Sequence, residues 1–114
     1  MLSVIAKRSD FLAAARAKRR VTHAFILQAR ESGAQPHGVR YGITCSKKVG
    51  NAVARNRAKR RLRAIARDVL PLEGRPGWDY VLIGRREVTA ALPYQHLRAD
   101  LFKALQSIHA DGAS

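Results

Sequence analysis

Between Glu31 and Asp68 the chain has no acidic residue, yet ten Lys or Arg residues fall there. That gap excludes an ordinary solvated surface, which mixes both signs. Other shortages narrow the reading further. Cys45 is the only cysteine, so there is no disulfide framework, as expected of a reducing compartment. No apolar run approaches a membrane span, and Met1 to Ala6 is too short for a secretory core. We expect a soluble, cytoplasmic protein with no membrane partner. His23, His37, His96 and His109 are dispersed without zinc-ligand spacing, the acids form no Asp-x-Asp cluster, and no Gly-rich phosphate loop is present. No catalytic constellation and no metal site is expected from side chains.

What is present folds. The 114 residues are 46% hydrophobic with a net charge of +14, enough for one modest core and too apolar for a basic tail. We read residues 1–114 as a single domain, with residues 1–7 and 110–114 expected to be flexible.

The periodicities give an element order. Ser9-Asp10 opens a helix through the following alanines, closed by Lys18, Arg19 and Arg20. Thr22 to Arg30 reads as a strand, Glu31 to Gly38 as a loop, and Val39, Tyr41, Ile43 and Cys45 alternate with polar or small residues at strand period. A long helix follows from about Asn51 to Leu70, ended by Pro71. Its Ala58, Leu62, Ile65, Ala66 and Val69 form one apolar stripe, with Asn56, Arg60, Arg63 and Arg67 opposite and Arg57 and Lys59 flanking. Arg55 projects nearer the apolar side and belongs in the first turn. Trp78 to Gly84 is an apolar, central strand, Arg85 to Leu92 a loop, and Pro93 opens a last helix. The expected class is an α/β two-layer sandwich, a small mixed sheet of about four strands packed with three helices.

The basic helix carries the functional signal. A solvated helix interleaves Glu with Lys at i,i+4, and this one does not, so like charges stack on adjacent turns. An anionic ligand resolves that repulsion, and Arg forks suit the phosphates and bases of structured RNA. Asn56 either reads a base edge or 2′-hydroxyl, or bonds backbone in the N-terminal turn. Phe11, Phe25 and Tyr41, with Arg16 and other basic residues nearby, are candidates for a groove where unpaired bases stack, or are plain core aromatics. Cys45 reads as a buried small residue. A structural ribosomal-type protein, a basic DNA-binding module and a protein-only nuclease are the rival classes.

The run from Ser46 to Arg63, with Arg55-Asn56-Arg57 at its centre, resembles the signature of the bacterial ribonuclease P protein subunit. Asp10-Phe11, Phe25-Ile26-Leu27, Gly42-Ile43 and Asp79 to Ile83 extend the likeness over almost the whole chain. The resemblance implies a non-catalytic protein partner of a catalytic RNA that removes the 5′ leader of precursor tRNA, with Mg²⁺ held mainly by that RNA and none bound by protein side chains. It implies a left-handed β-α-β crossover through the basic helix. By position, Lys47, Lys48, Asn51, Arg55, Asn56, Arg57, Lys59, Arg60, Arg63 and Arg67 face the catalytic RNA. Phe11, Arg16, Phe25, Leu27, Tyr41 and Ile43 are the residues of the leader cleft or its floor. No oligomer is required. Ala15 and Gln28 stand where the family often has aromatics.

Overall fold

The computed structural model of the chain describes residues 2–46, 48 and 50–110. The elements are β1 (Leu2–Val4), α1 (Arg8–Ala15), β2 (Lys18–Val21), β3 (Phe25–Glu31), β4 (Val39–Thr44), α2 (Ala52–Glu73), β5 (Trp78–Gly84), α3 (Val88–Ala91) and α4 (Tyr94–Ala110). One mixed sheet runs β1-β4-β5-β3-β2. β1 and β5 both lie parallel to β4, while β3 is antiparallel to β5 and to β2. The β4-α2-β5 passage is thus a crossover between parallel neighbours, the connection that needs a helix. The sandwich class is as expected, with five strands instead of about four and four helices instead of three among the described residues.

The strands explain how two layers form from one sequence. On β3, Phe25, Leu27 and Ala29 alternate with Ile26, Gln28 and Arg30, and register places Leu27 beside Leu82 and Gln28 beside Val81. The first set, with Tyr41, Tyr80 and Leu82, meets Leu62, Ile65 and Leu70 of α2 and Leu97, Leu101 and Leu105 of α4 in the main core. Each leucine sealed there stabilises the fold by about 1.5–3 kcal/mol. The second set faces α1, whose Ala14 is buried with Ile5 and Val81 while Phe11 and Ile83 pack at the margin. Gly42 permits that approach, because a Cβ there would lie 2.5 Å from the Phe11 ring. Without a side chain on β4 at this point, the short helix lies directly on the sheet.

Three boundaries differ from expectation. Lys18, Arg19 and Arg20 do not close α1. Arg16 ends that helix with its N–H on Ala13, and the basic trio forms an edge strand. There Lys18 Nζ donates to Ile108 O at 3.3 Å and Arg20 Nε to Ser107 Oγ at 2.7 Å, tying β2 to α4. Ser9 sits inside α1, with Lys7 at the cap position and no side-chain cap. Pro71 does not stop α2, which runs on to Glu73. A proline so close to the end removes one ladder bond, and Gly74 N–H still reaches Leu70 O at 2.8 Å. The expected loop after β5 also contains α3, and Leu2–Val4, given no element by sequence, pairs with β4. No helix among the described residues is long and apolar enough to cross a membrane.

Candidate RNA interface

The basic face begins at the start of α2. Asn51 caps the helix, its Oδ1 accepting from Ala54 N–H at 2.9 Å, so its carbonyl is committed to the fold and its amide NH₂ remains available. Asn56, Arg60, Arg63 and Arg67 are exposed on the side opposite the stripe, and Lys48 is exposed ahead of the helix. Val53, Asn56, Lys59, Arg60 and Arg63 line one shallow groove along this side. Lys47 lies outside the described residues.

Two of the arginines are also used internally. Arg57 Nε donates to Ala90 O at 2.9 Å, and Arg61 donates to the carbonyls of Thr89 and Leu92. These bonds satisfy the exposed end of α3 and fasten it to α2. Burial, and then the neighbouring Arg57, push Arg61 below the usual guanidinium range. The Arg57 terminal nitrogens take no part in its bond to Ala90, and the residue is exposed. Arg55, four residues into α2, is half-buried, and its Nε is buried without a partner. It lies beside Cys45, whose thiol is pushed up mainly by burial, against weaker opposing pulls from the Gly84 backbone, Lys59 and Arg55. A thiol held protonated in this way is a poor nucleophile.

No carboxylate among the described residues forms an ion pair with a basic side chain of α2. The ion pairs lie elsewhere, at Asp10, Asp79, Glu87 and Asp68, and Asp68 on α2 pairs with Arg98 of α4 at 2.8 Å. The helix therefore presents its cations to solvent unneutralised.

The second face of the sheet holds an open cleft beside α1. Phe11 is half-buried at its wall and Arg16 is exposed at the end of the helix. Phe11 and Thr44 share a hollow with Ala6, Arg8 and Leu12. The other expected cleft residues are not there. Phe25, Leu27 and Tyr41 are buried in the main core, and Ile43 packs against that core. They belong to the alternate set of each strand, which points at α2 and α4. The floor on the α1 side is built from Ile26, Gln28, Thr44 and Ile83, with Arg19 and Val21 exposed along β2. Strand periodicity separates the two sets. Sequence reasoning chose the more apolar set, which is the one sealed from solvent.

A buried ion network fixes α1 over this floor. Arg40 Nε and Nη2 form a fork on Asp79, at 2.8 and 2.5 Å, and Arg40 Nη1 reaches Asp10 of α1 at 3.4 Å. Arg30 Nη1 stands 3.8 Å from the same Asp10. The Asp79 hydrogen bond holds the Arg40 guanidinium above its usual range, against the opposing cost of burial. The cleft width is set by this bridge from β4 and β5 to the first turn of α1.

Comparison with known proteins agrees with the geometry. The family model described as Ribonuclease P matches residues 2–109. The chain is 61% identical over 110 residues to the ribonuclease P protein component of Ruegeria pomeroyi, covering 96% of this chain and 88% of that one. It is 46% identical to that of Erythrobacter litoralis, covering 91% and 84%. Among solved structures, the RNase P protein from Thermotoga maritima superposes with a TM-score of 0.75 at 28% identity, covering 91% of this chain and 96% of that one.

Proposed function

Because the chain belongs to the ribonuclease P protein family, the protein component of the endoribonuclease of tRNA 5′ processing, we propose that its surface is divided between two RNAs. The basic side of α2, with Lys48 and Lys47 before it, grips the catalytic RNA. The cleft beside α1, walled by Phe11 and floored by Ile26, Gln28, Thr44 and Ile83, takes the single-stranded 5′ leader of precursor tRNA. The observation that carries this reading is the α2 face, whose cations have no carboxylate partner among the described residues.

Hydrolysis belongs to the RNA in this reading, and so does the Mg²⁺ that it needs. The protein acts by binding. Its arginines lessen phosphate repulsion between two RNAs, and the cleft makes contacts that precursor has and mature tRNA lacks, so product is not held equally.

The test is cleavage of precursor tRNA by the matching catalytic RNA at low Mg²⁺, with and without the protein. Stimulation with tighter binding of precursor than of mature tRNA is expected; the absence of both overturns the reading. If six to eight phosphates are contacted, log K against log salt has a slope of about −4 to −7. The double change Arg60→Ala, Arg63→Ala flattens that slope by about 1 to 2 without altering the melting temperature.

A further inference from the structure

The far end of the sheet carries a second basic concavity that neither the α2 face nor the α1 cleft explains. β5 runs from Trp78 to Gly84, a length of about 20 Å. Cys45 and Arg55 lie at the Gly84 end. At the opposite end, a hollow of about 790 Å³ is lined by Lys18, Arg30, Glu31, Arg75, Pro76 and Trp78 with two alanines. Three cations face one carboxylate there, around an aromatic ring and a proline.

We propose that this hollow binds an unpaired ribonucleotide, with the base against Trp78 and Pro76 and the phosphate between Lys18 and Arg75. The Arg75 side chain is exposed, and its guanidinium makes no hydrogen bond or ion pair among the described residues; only its backbone N–H is used, donating to Tyr80 Oη at 2.9 Å. Lys18 Nζ sits 5.6 Å from the Trp78 ring centroid and donates to Ile108 O, leaving donors to spare on the ammonium. Arg30 is shared with Asp10 and adds long-range charge.

The ring itself is held rigid from behind. His109 packs edge-on against Trp78 at 4.7 Å between centroids, and Tyr80 Oη lies 2.6 Å from His109 Nε2. His109 is 6% exposed, and its Nδ1 is buried without a partner. Burial is the main cause that pushes the His109 ring down to about 4, and the nearby Arg75 and Lys18 charges push the same way. A braced, half-buried indole flanked by Arg75 and Lys18 is the arrangement on which bases stack with little sequence preference. A peptide ligand of acidic character would use the cations and not the ring.

Trp78 is the only tryptophan, so its emission reports this hollow directly. Titrating the full chain with single-stranded hexaadenylate RNA should quench Trp78 saturably. Arg75→Gln should raise the midpoint roughly three- to tenfold. Arg86→Gln, an equal loss of charge at an exposed side chain beyond the Gly84 end of β5, should leave it within about twofold. Arg75→Gln keeps the backbone bond to Tyr80, and an unchanged melting temperature shows the fold intact; Lys18→Gln is the second variant if it is not. Absence of quenching, quenching indifferent to both Arg75→Gln and Lys18→Gln, or equal quenching by a hexaglutamate peptide would each overturn the proposal. The catalytic RNA alone and a leader-bearing precursor tRNA are then titrated separately. Whichever quenches Trp78 in an Arg75-dependent way supplies the nucleotide, and quenching by neither sinks the assignment.

Discussion

One sheet has two faces here, and they are built on opposite terms. Towards α2 and α4, Phe25, Leu27, Tyr80 and Leu82 are fully buried, with Lys18 and Arg20 bonded to α4 at the β2 edge. Towards α1, the same sheet offers Ile26, Gln28, Arg30, Arg40 and Asp79 beneath an eight-residue helix, with Gln28 and Asp79 buried and the others only partly covered. Stability is concentrated on the first face, which frees the second to stay open. The division lesson applies to α2 as well, whose dry stripe anchors it and whose basic side carries no folding duty beyond the α3 bonds of Arg57 and Arg61.

That contrast is open to attack from its strongest side first. Leu62→Ala, at a fully buried position of α2, should cost about 2–5 kcal/mol, read as a fall in the urea midpoint. A cost below 1 kcal/mol would mean that the main core does not hold the fold as described. Next comes the bridge on the other face. Arg40→Leu leaves the Asp79 carboxylate, 1% exposed, without its fork and should cost about 2–4 kcal/mol. It should also speed amide exchange in α1 and erode the preference for precursor over mature tRNA, while affinity for the catalytic RNA through α2 is kept. Equal loss of both affinities would show that the two faces are not independent.

The smallest effect is a pH dependence. In the folded protein His109 takes its proton near pH 4, against an ordinary value of 6.5. Between those values the unfolded chain binds more protons, so stability falls as pH falls from about 6.5 to about 4 and is fully present above that window. By pH 5 the loss is on the order of 2 kcal/mol. Urea midpoints at pH 7.5 and 5.0 measure it, and His109→Leu should remove this part of the slope. A wild-type midpoint unchanged between the two pH values would show His109 to be less enclosed than the structure places it.

The basic helix was legible because amphipathic spacing is local. Ala58, Leu62, Ile65, Ala66 and Val69 declare the buried side, and Asn56, Arg60, Arg63 and Arg67 then have only solvent to face. The cleft was not legible in the same way. Alternation on β3 and β4 separates two sets of residues, but which set meets two helices and which meets one is decided by chain topology. Phe25, Leu27, Tyr41 and Ile43, by position candidates for the cleft or its floor, belong to the core. β2 leaves no strand signal, because Lys18, Arg19 and Arg20 carry no apolar alternation and an edge strand needs little. β1 has three residues, too few for any period.

The edge position of β2 has its own consequence. An unpaired strand border is a template onto which another copy can add itself, and the addition is self-propagating. Here such a partner would bring its own Lys18, Arg19 and Arg20 against the same trio. Coulomb repulsion makes that association unfavourable, so the cations that keep this border available for a polyanion also guard the protein against fibril-like growth when no RNA is at hand.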